Sequence, residues 1–392
     1  MRIALVHDWL DTWRGGEQVL AELCRIYGDA DLFALVDVLP ESDRAKLGNR
    51  RVATSFLQRM PLAGRDFRRW LPLFPRAIES LDVSRYDLVI SSSHAVAKGV
   101  RTNRRQLHIC YCYTPMRYAW DLRAQYLAQT GLAHGVRGWL AGRVLDRLRE
   151  WDRAASGRVD HFVASSRHVA ERIRRAYGRE STVIYPPVAA AGNAAVSNAT
   201  ASSAIAARRA SVEPFYVTVS QLVPYKRVDL IVEAFRSLPD RRLVVIGDGP
   251  ERERIRALAT PSVRIAGRLP DDERDRLLAG AAAFVFAAEE DFGIAPLEAQ
   301  AFGTPVIALG RGGALETIRG LDDAVPTGVL FAEQSAACIT EAVRTFEANR
   351  HRIDPDACAA NARRFDAARF RDEIDTFVRA RWDEFAASRA AA

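Results

Sequence analysis

Glu290 and Glu298 are the residues of this chain best placed to do chemistry, because of what surrounds them. A strand-like run, Ala283-Phe284-Val285-Phe286, stops at Glu289-Glu290-Asp291-Phe292-Gly293, and Ile294-Ala295-Pro296-Leu297-Glu298 then begins a helix. Pro296 fits the first helical turn, where its missing N–H costs nothing. Glu290 is thereby set in a Gly turn and Glu298 in the opening turns of a helix, whose free N–H groups and dipole attract anions. A second unit of the same kind follows: Gly303-Thr304, a strand over Pro305 to Leu309, the loop Gly310-Arg311-Gly312-Gly313 and a helix beginning near Ala314. Two consecutive strand, loop and helix units of this type build a phosphate and sugar pocket at the carboxyl edge of a parallel sheet. A carboxylate at a helix start can also merely complement the dipole. That reading accounts for Glu298 and leaves Glu290 unexplained.

Positioning these residues falls to alternating strands and helices. In the first half, Arg2 to His7, Leu32 to Val36, Leu88 to Ser91, Leu107 to Cys112 and Phe162 to Ser165 read as strands. Amphipathic helices lie between them, notably Gln18 to Tyr27 and Val136 to Ala155, and Ser166 is placed to cap another over Arg167 to Tyr177. Val183-Ile184-Tyr185 is a last strand leading into Pro186-Pro187. Residues 189–213 are rich in Ala and Ser without periodicity, the mark of a linker or surface insertion. Alternation resumes with strands at Phe215 to Ser220, Arg242 to Ile246 and Val263 to Ala266, and helices at Arg227 to Ser237, Glu251 to Ala259 and Asp271 to Ala279. Such alternation means doubly wound parallel sheets.

Composition narrows the class. The 392 residues leave room for two or three domains, and 48% apolar residues suffice for packed cores. Five cysteines, odd in number and spread along the chain, argue against a disulfide framework and fit a reducing cytosol. Met1 leads straight into a strand with no signal-peptide pattern, and no run of about 18 apolar residues offers a membrane span. The net charge of +7 is almost wholly an arginine excess. Arg101-Thr102-Asn103-Arg104-Arg105 is either a solvated basic face or an anion-binding one. In Arg65 to Arg76, aromatic and aliphatic residues are interleaved with arginines, which suits a membrane interface, although Pro72 and Pro75 prevent one regular helix.

Glu290, seven residues, Glu298 and then Gly312-Gly313-Ala314-Leu315-Glu316 resemble the signature of the retaining glycosyltransferase family 4, of the GT-B fold. The resemblance extends to Leu222-Val223-Pro224-Tyr225-Lys226-Arg227-Val228-Asp229, to Val245-Ile246-Gly247-Asp248-Gly249-Pro250-Glu251, to His108 through Asp121, and to His7-Asp8-Trp9 with Gly15-Gly16-Glu17. It is closest to the mannosyltransferase branch that builds bacterial O-antigen and exopolysaccharide. The resemblance implies an α/β architecture of two Rossmann-like domains facing a central cleft. Residues 1–188 would bind the acceptor and residues 214–365 the nucleotide sugar, with helix 366–392 crossing back onto the first domain. It implies transfer from GDP-mannose, or from a UDP-sugar, with retention and without a metal or other cofactor. The acceptor would be a polyprenyl-diphosphate-linked saccharide, handled by a cytoplasmic enzyme in peripheral contact with the anionic inner membrane and without nucleic acid.

Residue by residue, the resemblance sets Lys226, the sole lysine of the second domain, against the leaving diphosphate, aided by the N–H groups of Gly312 and Gly313. Glu298 would accept from the ribose hydroxyls and Glu290 would face the donor sugar. Phe292, Gly293, Ile294, Gly247, Gly249 and Arg268 complete the donor set. Gln221 stands where relatives commonly carry Arg, and Arg227 is a candidate to compensate. In the first domain Gly15 and Gly16 allow close backbone approach, or simply turn the chain. Relatives carry a histidine near Tyr113; here Tyr113 or His94 would take over its acceptor-positioning role.

Two rival readings carry less. His108, Cys110 and Cys112 share one face of a strand at ~6.6 Å per residue pair, too far apart to close round one zinc. Asp29-Ala30-Asp31 precedes a strand, at the wrong end of a sheet for a ligand crevice. A basic module for nucleic acid or membrane, without catalysis, would leave Glu290, Glu298 and Lys226 unexplained.

Overall fold

The computed structural model describes residues 1–121, 123, 127, 135–188 and 214–390. The apolar runs become strands of two separate sheets, paired in parallel throughout. The first sheet holds β1 (Ile3–His7), β2 (Asp31–Ala34), β3 (Val52–Thr54), β4 (Leu88–Ser93), β5 (Leu107–Cys112), β6 (His161–Ala164) and β7 (Ser181–Val183), in the order β3-β2-β1-β4-β5-β6-β7. The second holds β8 (Phe215–Val219), β9 (Arg242–Ile246), β10 (Val263–Gly267), β11 (Ala283–Phe286), β12 (Val306–Leu309) and β13 (Gly328–Phe331), in the order β10-β9-β8-β11-β12-β13. Strand order reverses between β1 and β4 in one sheet and between β8 and β11 in the other. At such a reversal the helices leave in opposite directions and a crevice opens outside the carboxyl ends.

Two compact units result. One is Met1–Pro187 joined by Ala368–Ala392; the other is Val188–Ala367. The stretch 189–213, read as a linker, lies outside the described residues. In the first unit, α1 (Gly15–Ile26), α2 (Gly135–Ser156), α3 (Arg167–Tyr177) and the final helix, labelled α10 (Ala367–Ala390), cover the sheet. The second unit uses α4 (Val228–Arg236), α5 (Arg252–Leu258), α6 (Asp271–Gly280), α7 (Ile294–Ala301), α8 (Ala336–Asn349) and α9 (Pro355–Arg363). Ser166 caps α3 as its position suggests, accepting from the Val169 N–H at 3.0 Å.

Alternation along each strand feeds two cores. On one face of the first sheet, Leu5, Ile90, Ile109 and Tyr111 pack with Leu20 and Leu23 of α1 and with Phe370, Ile374 and Val378 of α10. On the other, Val6, Phe33 and Val89 meet Leu145 and Leu148 of α2. The second sheet is likewise covered twice. Val245, Val285 and Ile307 pack with Phe235 and Phe346, while Phe284 and Ala308 pack with Leu278 and Ala299. Both faces being buried, the strands read as continuous apolar runs.

The Arg65 to Arg76 stretch departs from its sequence reading. It folds as Ala63–Asp66, a 3-10 stretch Phe67–Leu73 and Phe74–Glu79, which turn Phe67 and Phe74 inward against Trp9, with ring centroids 5.5 and 5.7 Å apart. Arg68 meets Asp11 at 2.6 Å, and Arg69 pairs with Asp66. Of the aromatics that suited a bilayer, Phe67 and Phe74 are core and Trp70 is half-buried against it. The strand expected over Val183 to Tyr185 runs instead over Ser181–Val183, and the Ile184 N–H still donates to Ala164 O at 3.1 Å.

One charge pair lies wholly inside the first unit. Lys98 is buried against Asp152 of α2, and the same carboxylate accepts from Trp120 Nε1 at 2.8 Å and Tyr177 OH at 2.7 Å. Removing one partner of such a pair leaves an uncompensated buried charge, which costs about 3–5 kcal/mol. Asp152→Ala is therefore expected to bring the first thermal unfolding transition down by many degrees in circular-dichroism melts. A shift of only a degree or two would show that water reaches Lys98.

Candidate functional site

In the second unit the loops after β8 and β9 are stitched together: the Leu222 N–H donates to Asp248 O at 2.9 Å and the Glu251 N–H to Leu222 O at 3.0 Å. Gly247 has φ +134, and a Cβ there would stand 1.8 Å from Ser220 O. The crossing of these two loops requires that glycine, whatever binds nearby; Gly249 lies in the same crossing, tight against Leu222 O. The β8 loop then makes the turn Pro224–Lys226. Lys226 Nζ forms an ion pair with Glu290, the two side chains being only 17% and 16% exposed. Its ammonium also lies 5.4 Å from the Tyr225 ring centroid and 5.9 Å from that of Phe286, the last residue of β11. Lysine after β8 and glutamate after β11 thus meet at the point where strand order reverses.

The backbone of Glu290 is fixed by the next loop. Its carbonyl accepts from the Gly313 N–H at 2.8 Å, and a Cβ on Gly313 would fall 2.3 Å from Phe292 Cα. This corrects one expectation: the Gly313 N–H holds Glu290 rather than facing a phosphate. The helix after it, Ala314–Thr317, is a single turn with little dipole. Phe292 is buried with its ring 5.5 Å from Phe365, so it belongs to the core. Gly293, at φ +87, starts α7, and Ile294 is its first residue.

Glu298, on α7, is half-buried, and among the described residues no hydrogen bond or ion pair to it is formed. Burial raises its pKa above the ordinary value; Arg274 of α6 offsets part of this, while Asp275 and Asp271 add to it. Arg274 is itself held by Asp271 and Asp275, each at 2.8 Å. A partly desolvated carboxylate that the chain leaves unsatisfied is an acceptor open to hydroxyl donors. Arg227 is committed elsewhere: in the left-handed region at φ +51, it reaches Asp229 and Gln334, each at 3.3 Å, so it does not compensate for Gln221. Gln221 is exposed beyond β8, and Arg268 is exposed just after β10.

The first unit builds a second constellation where β1 and β4 diverge. Asp8, directly after β1, is buried and accepts four N–H groups of the loop after β4: His94 at 2.6 Å, Ala95 at 3.0 Å, Val96 at 2.6 Å and Ala97 at 2.7 Å. His94 Nδ1 lies 3.0 Å from the same carboxylate, and its ring meets Trp9 edge-on at 4.5 Å. Burial alone would raise the Asp8 pKa, but the charge and hydrogen bonds of His94, with the charge of His7, hold it far below the usual carboxylate range. Tyr113 is occupied by the fold: its hydroxyl contacts Ser92 Oγ at 2.7 Å and donates to Gly16 O at 2.9 Å. Both acceptor-side candidates are half-buried, and the His94 side chain is 34% exposed. Gly15 and Gly16 open α1, and a Cβ on Gly16 would meet His7 and Tyr113 at ordinary contact, 3.7 and 3.8 Å.

Asp8 is the residue whose role the sequence reading missed. Its only local signal is an acid immediately past the first strand. His108 sits as a core histidine: Nε2 is 2.8 Å from Ser91 Oγ, Nδ1 is 3.1 Å from Arg158 O, and burial pushes its pKa down to about 4. Asp31, at the start of β2, accepts from Tyr86 and Arg85 at the opposite sheet edge.

Comparison with known proteins follows this geometry. The family model for Glycosyltransferase Family 4 matches residues 13–191, and that for Glycosyl transferases group 1 matches residues 205–365. The chain carries a glycosyltransferase family 4 domain and a group 1 domain. The sheets with their candidate residues at the two reversals are those of the GT-B fold. Anabaena HepE, solved in complex with UDP, shares this fold with a TM-score of 0.66 and 19% identity, covering 97% of this chain and 100% of its own. The GDP-mannose-dependent monoacylated alpha-(1-6)-phosphatidylinositol monomannoside mannosyltransferase of Corynebacterium glutamicum is 30% identical over 200 residues, 46% of this chain. Sulfoquinovosyl transferase of Arabidopsis thaliana is 34% identical over 122 residues, 30% of this chain. The matches span 51% of the first relative's length and 24% of the second's.

In the first unit, the Asp8 clamp has a measurable signature. Burial opposes the charge on His94, but Asp8, and behind it Glu17 and Asp11, raise its pKa above 6.5; His7 and Tyr113 are its other titratable neighbours. A raised folded-state pKa means that the stabilisation is complete below 6.5 and is lost as pH rises through the raised value. The melting-temperature gap between wild type and His94→Ala is expected to be widest below pH 6.5 and to narrow above it. A gap that stays constant from about pH 5 to about pH 9 would show that folding leaves the His94 pKa unshifted.

Proposed function

We propose that the chain is a retaining glycosyltransferase that transfers mannose from GDP-mannose to a polyprenyl-diphosphate-linked saccharide in bacterial surface-polysaccharide synthesis. The observation that carries this reading is the Lys226–Glu290 pair at the β8/β11 reversal, on the same edge as the unsatisfied carboxylate of Glu298. GDP-mannose is supported by the Corynebacterium relative, a GDP-mannose-dependent mannosyltransferase, and by the resemblance of the motifs to the mannosyltransferase branch.

The chemistry follows from charge. As the bond from the anomeric carbon to the donor diphosphate breaks, negative charge grows on the diphosphate and positive charge on the sugar. Lys226 supplies a fixed cation for the first without a metal. To do so its ammonium leaves Glu290 for phosphate oxygens, which frees the Glu290 carboxylate to face the sugar. The acceptor oxygen bonds to the anomeric carbon on the face the diphosphate leaves, and the acceptor proton passes to the departing phosphate oxygen. Glu298 takes the vicinal hydroxyls of the ribose, and His94, held by Asp8, orients the acceptor.

Two measurements test this reading. In EDTA, GDP and GDP-mannose are expected to raise the melting temperature, as any ligand of the folded state does. Stabilisation by UDP alone would reassign the donor, and a strict requirement for Mg²⁺ would remove Lys226 from its role. The glutamates then separate by binding and rate. Glu298→Ala is expected to weaken GDP and GDP-mannose alike, because both carry the ribose. Glu290→Ala releases Lys226, so GDP should bind as well as before or better, while turnover falls by about a hundredfold, or ~3 kcal/mol. Loss of GDP binding in Glu290→Ala, or its survival in Glu298→Ala, contradicts these assignments.

A further inference from the structure

Helix α2 buries Gly138, Gly142, Leu145, Leu148, Asp152 and Ala155 along one stripe, as a helix packed on a sheet should. The opposite side of its first turns is unusual. Val136 is 82% exposed, Trp139 65% and Leu140 58%. Spaced at i, i+3 and i+4, they share one helical face, which Arg143 and Arg147 continue. The Arg143 guanidinium lies 5.7 Å from the Trp139 ring centroid. Elsewhere among the described residues, exposed large apolar side chains occur singly: Met1, Phe56, Leu62, Leu315 and Val325. A lone exposed leucine needs no explanation, but a clustered tryptophan, leucine and valine on the face turned away from the core does.

The charge around this face indicates what covers it. From 135 to 150 the helix carries Arg137, Arg143, Arg147 and Arg149 against two acids, Asp146, which Arg123 meets at 2.9 Å, and Glu150. An apolar strip edged by unmatched arginines complements a surface that is apolar beneath and anionic on top. Tryptophan suits that boundary, with its ring in the apolar layer and its N–H at the polar edge, and arginine stems lie along such a layer with their guanidinium groups outward. Among the described residues no helix is long and apolar enough to cross a membrane, so the fit is to lying on one.

We propose that the first turns of α2 dock on an anionic phospholipid bilayer, with Val136, Trp139 and Leu140 entering the headgroup boundary and Arg143 and Arg147 meeting lipid phosphates. This deepens the reading of a lipid-linked acceptor, since it names the surface that brings the family 4 unit to that lipid.

The full chain should co-sediment with vesicles of phosphatidylglycerol mixed with phosphatidylcholine, and only weakly with phosphatidylcholine alone. Trp139→Glu with Leu140→Glu is expected to reduce the bound fraction by about tenfold. Both positions are solvent-exposed, so circular dichroism and the GDP-induced melting shift should match wild type. Arg65→Gln with Arg69→Gln, in the stretch whose Phe67 and Phe74 are core, should leave vesicle binding nearly intact. Wild-type retention by the Glu double variant would overturn the proposal. So would vesicle binding by neither protein together with a wild-type dimer that the double variant breaks in sedimentation velocity, since a second copy would then cover the face. Absence of any GDP-induced shift in wild type would instead count against glycosyl transfer and leave the vesicle result standing.

Discussion

Everything chemical in this protein depends on parallel strand pairing. A parallel pair cannot close with a tight turn, so each strand hands the chain to a crossover that returns over one face of the sheet. All strands of a sheet then end at the same edge, and where the winding changes direction two neighbouring loops diverge instead of covering that edge. The first unit places Asp8 and His94 at its divergence, after β1 and β4; the second places Lys226 and Glu290 at its own, after β8 and β11. Residues far apart in sequence meet because their strands are neighbours.

Three buried or half-buried charge groups show how differently one chemistry can be used. Lys98 and Asp152 are sealed inside, with Trp120 and Tyr177 also on the carboxylate, so their pairing holds together the pieces of one core. Asp8 draws four backbone N–H groups onto one side chain and gives the loop after β4 a single shape. Lys226 and Glu290 retain partial exposure and flexible stems, so this third pair is accessible to a competing anion.

Much of this was legible in the chain. Strands such as Leu107 to Cys112 and Ala283 to Phe286 are apolar on both faces and bounded by turn residues, so they were placed correctly, and the Ser166 cap follows from local rules. What escaped depends on distant partners or on geometry without a period. β3 and β13, at three and four residues, are too short to carry a pattern. The inward turn of Phe67 and Phe74 belongs to a 3-10 stretch, for which helical spacing gives no guide. Arg227 looked free to reach a phosphate, but its left-handed backbone conformation directs it to Asp229 and Gln334. The Gly313 N–H looked available until the Glu290 carbonyl came to accept from it.

The final helix carries a consequence for biosynthesis. Phe370, Ile374 and Val378 of α10 complete one face of the first sheet, although their codons are translated after the whole of the second unit. While the ribosome is still working, β1, β4 and β5 lack part of their cover, whereas residues 188–367 already have all their own strands. Domains on a growing chain ordinarily mature from the amino end. Here the order is reversed: the unit made second has all its own strands before the unit made first receives the helix that covers Tyr111.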